Sequence, residues 1–415
     1  MTWITAQNRL LHNHTVVSLD SISALRRWSM LVIGLTATMC ANVVINGVAF
    51  LIPALHLELG LHLAQAGLVS AMPSLGVAAT IIGWGYLVDR VGERIVLTVG
   101  LGLTAAATFA AAAADNLVAV GAFLFLGGMA AASNNAASGR LVVGWFPPER
   151  RGLAMGIRHT AAPLGVALGA LVIPQLAQRH GIAAALMFPA VLCAASAAVC
   201  ALGVLDPPRP PRAQAPAHHL ANPYRGSTVL WRIHAASMLL VVPQSVVWTF
   251  TLVWLMADHH WSAASAGVVV VVAQVLGALG RVVAGHWSDY IGARLRPIRT
   301  IAVAAALAMV VLGLTDHLGS IVSVTIVLIA SMITVTDNGL AYVAIAERAG
   351  PYWSGRAIGV HYTGQMVTMA GIPPAFGALI AVAGYPLAFA ASALFALAAP
   401  PVVPVHADRS DPTSG

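Results

Sequence analysis

The sequence predicts an all-α membrane protein: twelve transmembrane helices in two pseudo-symmetric six-helix bundles. Three observations lead there. Only 8% of the 415 residues are charged and 59% are hydrophobic, with a mean hydropathy of +0.84. Soluble domains carry roughly 25% charged residues, so lipid is the solvent for most of this surface. Apolar runs of about 20 residues recur along the chain, the length that crosses a ~30 Å hydrocarbon core at ~1.5 Å per residue. Finally, one charged hairpin occurs twice, about 200 residues apart.

Taken in order, residues 1–28 precede a first bundle, 29–205, with runs near 29–53, 65–88, 95–114, 117–145, 152–176 and 183–205. The first 27 residues include Asp20, Arg26 and Arg27 and lack an apolar core followed by a small-residue cleavage site, so no cleavable signal peptide is read and the first helix directs insertion. Residues 206–228 open with Asp206-Pro207-Pro208-Arg209-Pro210-Pro211-Arg212 and read as a solvated linker. A second bundle, 229–404, has runs near 231–256, 264–287, 300–315, 319–346, 355–380 and 386–404, and residues 405–415 read as a short disordered tail.

All 21 basic residues are Arg, dispersed in short loops rather than gathered on one face, which argues against nucleic acid as the reason for the net charge of +7. If both termini are cytoplasmic, 20 of the 21 Arg fall in cytoplasmic segments or adjoining helix ends, with Arg179 alone outside. The positive-inside rule therefore orients the chain in the inner (plasma) membrane. The opposite face carries Glu58, Asp115, Asp258, Asp316 and several His, to which no role is given. Cys40, Cys193 and Cys200 lie inside apolar runs, without disulfide or metal-site spacing. H-E-x-x-H, G-x-S-x-G and a phosphate-binding loop are all missing, which argues against an intramembrane enzyme and a transport ATPase, and no cofactor is expected.

The repeated hairpin is Gly85-Tyr86-Leu87-Val88-Asp89-Arg90-Val91-Gly92-Glu93-Arg94 and Gly285-His286-Trp287-Ser288-Asp289-Tyr290-Ile291-Gly292-Ala293-Arg294. Gly, Asp, Gly and Arg recur in register, and duplicated membrane halves mark secondary transporters. A second repeat, at an offset of 203, pairs Gly152-Leu153-Ala154-Met155-Gly156 with Gly355-Arg356-Ala357-Ile358-Gly359. The same offset sets Asn134-Asn135 on Asp337-Asn338 and Arg158-His159-Thr160 on His361-Tyr362-Thr363.

The hairpins resemble the G-x-x-x-D-R-x-G-x-R loops of the major facilitator superfamily, between the second and third and the eighth and ninth helices. The resemblance covers the whole chain; Tyr290 departs from it where the first copy has Arg90. It implies the major facilitator fold and a transporter that moves a small solute between inward- and outward-open states, acting as a monomer in the bilayer. The glycines allow close approach and a tight turn. In this fold Asp89 lies near the start of the eleventh helix at Ser354-Gly355, and Asp289 near the start of the fifth, after Pro147-Pro148-Glu149. A helix N-terminus attracts a carboxylate. Gly85, Asp89, Arg90, Gly92, Arg94, Gly285, Asp289, Gly292 and Arg294 are the gating candidates, the alternative being that the charges only set topology.

Asp337 lies about nine residues from Glu347, ~14 Å into its span, where a charge costs roughly 2.5–3.5 kcal/mol unless it faces a cavity or a partner. Ser331, Thr334, Asp337 and Asn338 fall on one helical face, a candidate cavity stripe. Asp337 is the proton-coupling candidate; a carboxylate locked to a neighbouring Arg or Asn is the alternative. Arg281 lies ~12 Å inside its span. Gly280-Arg281-Val282-Val283-Ala284-Gly285 looks like the eighth-helix pattern of the oxalate–formate and monocarboxylate branches, where the resemblance implies an Arg that binds the substrate carboxylate. A guanidinium fork suits a carboxylate, and snorkelling is the alternative. Arg158, two turns into its helix, is a gating or ligand candidate. Asn42 and Asn46, Gln244 and Trp248, each spaced i, i+4, complete the substrate candidates with Asn134, Asn135, Asn338, His361 and Tyr362; such amides also join helices.

Two features of proton-driven drug exporters are weak. No Arg lies near Phe123, before Gly127-Gly128, and the Gly-Pro-x-x-Gly-Gly pattern is reduced to Ala162-Pro163-Leu164-Gly165. The leading expectation is transport of a small organic anion or metabolite coupled to protons; multidrug efflux is the second.

Overall fold

A computed structural model describes residues 23–52, 54–55, 62–208 and 215–408. Asp20, Glu58, Arg209 to Arg212 and the tail from residue 409 onward lie outside the described residues. The described chain is helical throughout. Ten segments are apolar and long enough to cross a membrane. Two of them, Pro148–Gly203 and Ser354–Val402, are too long for one crossing and fold back at Gly181 (φ 81°, ψ 172°) and Gly384 (φ 78°, ψ 172°). Twelve crossings result. Both turns need a left-handed backbone, which glycine supplies, and they lie 203 residues apart in nearly identical conformations.

The first span is Ala24–Gly47, continued by a 3₁₀ turn at Val48–Leu51. It begins before residue 29 because Ser23 caps it, accepting from the Arg26 amide at 3.4 Å, and carries Arg26 and Arg27 in its first turn. The second and third spans are Leu63–Val91 and Glu93–Ala112. The seventh, eighth and ninth are Val229–Ala257, Ala263–Tyr290 and Leu295–His317.

Three spans are broken at depth. The fourth comprises Leu117–Ala131 and Ser133–Trp145, the fifth begins as Pro148–Arg158 and resumes at Ala161, and the tenth comprises Val322–Ile333 and Asp337–Ala349. Local chemistry accounts for each break. Asn134 Nδ2 donates to the Ala131 carbonyl (3.3 Å), and the Thr334 and Thr336 hydroxyls donate to Ala330 and Ile333 (2.8 and 2.7 Å), competing with the helical ladder. In the fifth span Pro163 has no amide to offer the His159 carbonyl and clashes with it. The expected stripe Ser331–Thr334–Asp337–Asn338 is therefore interrupted: the regular face assumed for it ends at Thr334.

Each bundle has its own apolar core, but at the Arg-rich face they interlock. Tyr342, Val343, Ala346 and Ile358 of the second half are buried in the core of the first. The outer surface is apolar, with Val118, Leu202 and Val382 more than 80% exposed, as a lipid-facing surface requires.

Two segments expected to be loose are tied down. Asp206, at the head of the linker, accepts from the Arg94 amide (2.7 Å). Further on, Trp353 Nε1 donates to the Leu220 carbonyl (3.1 Å), and Tyr224 Oη lies 2.9 Å from His234 Nε2. The chain after Val405 opens as a 3₁₀ turn, Val405–Asp408, and Asp408 accepts from the amides of Arg294, Leu295 and Arg296 at 2.9–3.1 Å. A polar composition concealed both contacts because their acceptors cap helix starts that hydropathy does not register.

Candidate functional site: a cavity between the halves and a closed Arg-rich face

At the Arg-rich face the hairpin carboxylates meet helix N-termini of the opposite half. Asp89 accepts from the Gly355 and Arg356 amides (2.9 and 3.1 Å), and Asp289 from the Gly152 and Leu153 amides (2.9 and 2.8 Å). The backbones touch: a Cβ on Gly85 would fall on the Gly355 carbonyl, and one on Gly285 on the Gly152 carbonyl. Gly92 and Gly292 turn the chain with φ of 96° and 62°. Arg90 lies over the Tyr86 ring (4.6 Å). Arg94 donates from Nε to the Ala201 carbonyl (2.8 Å), inside its own half. Arg294 instead holds Asp289 (2.6 Å), pairs with Glu347 of its own half (3.5 Å) and reaches across to the Pro148 carbonyl.

Several partners at this face were not among the sequence candidates. Arg140 joins Asp89 (3.0 Å) and Glu93 (3.2 Å) and donates to the Pro351 carbonyl (3.0 Å). Arg356 Nε also pairs with Asp89 (3.0 Å), and Arg151 pairs with Glu347 (3.1 Å). An Arg four to six residues from a helix end reads as a topology charge; only its buried acid partners reveal more.

Beyond this closure lies a cavity of about 180 Å³ walled by both halves. Asn42, Asn46, Asn135 and Arg158 come from the first half; Gln244, Trp248, Arg281, Asn338 and Tyr362 come from the second. All of these were sequence candidates. Ser74, His159, Gln274, Tyr342 and Gln365 also line it and were not. A smaller lobe behind Gln244, Trp248, Gln274 and Arg281 is reached by Ser331 and Thr334.

The amides order one another. Asn46 Nδ2 donates to Asn42 Oδ1 (3.1 Å), Asn338 Nδ2 to Gln244 Oε1 (3.1 Å) and Gln365 Nε2 to Asn338 Oδ1 (3.3 Å). Arg158, expected nearer the interface, is buried against the cavity. Its guanidinium donates to Ser138 Oγ (2.8 and 3.0 Å) and the Asn135 carbonyl (3.2 Å) and lies over the Tyr342 ring (5.7 Å). The helix break at His159–Thr160 folds it inward, which simple residue counting missed.

Arg281 is 8% exposed, and its Nε and Nη1 have no hydrogen-bond partner among the described residues although it lines both lobes. A buried guanidinium without partners is costly. Its electrostatic counterpart is Asp337, which does not line the cavity. Asp337 is 2% exposed, in the first turn of the second half of the tenth span, where the helix N-terminus favours a carboxylate.

Three expected cavity residues are thus displaced. Asp337 and its repeat partner Asn134 are buried in protein, and the next residue of each pair, Asn338 and Asn135, faces the cavity. The breaks before Asp337 and Asn134 reset the helical phase. His361 turns to the seventh span, with Nδ1 3.3 Å from His234 Nδ1, because the eleventh span runs unbroken where the fifth is interrupted.

No carboxylate lines the cavity among the described residues, while two guanidiniums do. Two interlocked membrane bundles enclosing a polar, cationic cavity define a multi-pass transporter of a small molecule. Residues 33–373 match the family model of the Major Facilitator Superfamily, and the chain belongs to that family. It is 54% identical over 390 residues to an uncharacterized MFS-type transporter of Mycobacterium tuberculosis, covering 94% of this chain and 87% of the relative. It is 23% identical over 248 residues to the hexuronate transporter of Bacillus subtilis, 58% and 59% of the two chains. Among solved structures it is similar to the fucose:proton symporter of E. coli, with a TM-score of 0.71 at 16% identity over 92% and 98% of the chains, a likeness in fold.

Proposed function

We propose that this transporter moves a small organic anion together with protons by alternating access, with the Arg-rich face in the cytoplasm. The supporting observation is Arg281: more than nine-tenths buried, facing the cavity, with two nitrogens that have no hydrogen-bond partner among the described residues. A carboxylate or similar anion would fill that fork with two charge-assisted bonds. Arg158 supplies a second positive charge across the cavity; Asn42, Asn135, Gln244, Asn338 and Tyr362 would orient the rest of the cargo. Asp337, whose charge acts on Arg281 without a direct ion pair, offsets the guanidinium when no anion is present and takes the coupling proton as the anion takes over that cation. Asp89 and Asp289 latch the cytoplasmic side at opposite helix starts, and alternating access releases them. The relative named for hexuronate, itself a carboxylate sugar, fits this cargo class.

The test uses purified protein and a thermal-shift panel of carboxylates, neutral sugars and cationic drugs. Carboxylates should stabilise the wild type and fail to stabilise Arg281→Ala, with Arg281→Lys weakened about 10–100-fold through loss of the fork. Stabilisation by neutral or cationic compounds alone would sink the anion assignment. Proteoliposome uptake of a stabilising carboxylate should need no ATP and should rise with an inward proton gradient. Asp337→Asn should abolish the gradient response while counterflow persists.

A further inference from the structure

Between the cavity and the Arg-rich face runs a row of polar groups that meets the anion site only at Asn338. Tyr224 Oη in the linker lies 2.9 Å from His234 Nε2 on the seventh span. His234 Nδ1 lies 3.3 Å from His361 Nδ1 on the eleventh, and His361 Nε2 lies 3.4 Å from Ser237 Oγ. Gln365 Nε2 then donates both to Ser237 Oγ (3.0 Å) and to Asn338 Oδ1 (3.3 Å), in the cavity wall. The two His are 4% and 1% exposed.

The Nδ1-to-Nδ1 contact fixes the stoichiometry. One hydrogen fits between the two nitrogens, so in the neutral pair one Nδ1–H donates to the other Nδ1. The remaining ring hydrogen sits on one Nε2, and the other Nε2 accepts from the Tyr224 or Ser237 hydroxyl. Burial pushes the Tyr224 phenol up to about 12, so it stays an O–H donor. With one added proton, both Nε2 atoms carry hydrogens, donating to Tyr224 Oη and Ser237 Oγ, and the central bond survives. A second added proton would set N–H against N–H at the centre and place two imidazolium charges side by side. The pair therefore alternates between none and one added proton, with every ring N–H partnered in both states.

We propose that His234 and His361 form a single-proton site, set beside the cavity and exchanging with the Arg-rich face through Tyr224. The proposal rests on the reading that transport is proton-coupled. A proton from the face displaces the Tyr224 hydroxyl hydrogen onto His234 Nε2. The pair then holds one added proton: the His234 Nδ1–H still bonds His361 Nδ1, both Nε2 atoms carry hydrogens, and release reverses the step through Tyr224. One proton is taken up and given back, and no other bond changes. Around the pair stand Trp231 on the seventh span, Tyr342 on the tenth, edge-on to His361 (5.1 Å), and His159 on the fifth against Tyr342 (4.7 Å). Arg158 over the Tyr342 ring is the cation on the cavity side. An anion held by Arg158 offsets that charge, so anion and proton bind cooperatively, and by linkage each strengthens the other to the same degree.

The experiment titrates the full chain with protons alone, independently of the cargo. Histidine ¹⁵N shifts of labelled protein in bilayers are followed from pH 4 to 9 in the wild type, His234→Gln and His361→Gln. Two rings sharing one proton with a common midpoint are expected, and each single variant should leave the other ring with a shifted midpoint. Two protons taken up independently, or no change in either ring over that range, would overturn the site. Tyr224→Phe keeps both rings and is the safeguard against misfolding. It should leave the titration in place and slow proton exchange, read with a trapped pH dye after a pH jump, by about tenfold, the equivalent of one hydrogen bond. Unchanged exchange in that variant would overturn the route through the linker. If the titration succeeds and no carboxylate stabilises the protein, the pair stands and the anion reading falls.

Discussion

The two hairpin copies make the same cross-contact and secure it differently. Asp89 is fully buried, with Arg140 from its own half and Arg356 from the other, and Arg140 is shared with the buried Glu93. Asp289 has Arg294 from its own hairpin, which also pairs with Glu347 of its own half and donates to the Pro148 carbonyl across the interface. Both clusters are largely buried, the first the more so: the Asp89 and Glu93 side chains are 0% exposed, that of Asp289 4% and that of Glu347 21%. Pseudo-symmetry of backbone thus coexists with asymmetry of charge, and the first copy should be the harder to open.

Substitutions can break or sharpen that contrast. Asp89→Ala leaves Arg140 with less compensation in a buried place, where removing one partner costs ~3–5 kcal/mol. It should shift the protein toward the state open at the Arg-rich face by a hundredfold or more, on the order of that energy, read as longer spin-label distances across the face. Gly85→Leu and Gly285→Leu should act alike, because overpacking costs ~1–3 kcal/mol and the backbone contacts match in the two halves. A large difference between them would show that the backbone symmetry is not energetic. Asp289→Ala should do less than Asp89→Ala, since Arg294 retains Glu347 and the Pro148 carbonyl; equal effects would refute the asymmetry. Tyr290→Arg, which restores the first copy's pattern at a residue 85% exposed, should change the distribution by less than about 0.5 kcal/mol.

The spans, the two halves and both hairpin contacts were legible because hydropathy, Arg placement and a repeat each carry a one-dimensional trace. The cavity was legible by helix rather than by residue. Asn42, Gln244 and Arg281 line it on unbroken spans, where periodicity keeps its phase. Asn134 and Asp337 follow breaks, and there both residues of each repeat pair were expected at the cavity, although only Asn135 and Asn338 reach it. Those breaks arise from Asn and Thr side chains turning back on the ladder and from a proline ring, features too small for a hydropathy window. Arg140 and Glu93 were overlooked because a buried ion pair depends on a partner 47 residues away. His361 was misplaced because its partner is another span's histidine.

Asp206 and Asp408 lie 202 residues apart, and each fastens the end of its half onto the start of that half's third span. Each six-helix unit is thereby stitched shut by a carboxylate just past its last span, independently of the segment that joins the two. Severing the chain between Pro208 and Ala215 would leave two self-contained pieces, able to find each other in a bilayer when expressed as separate polypeptides.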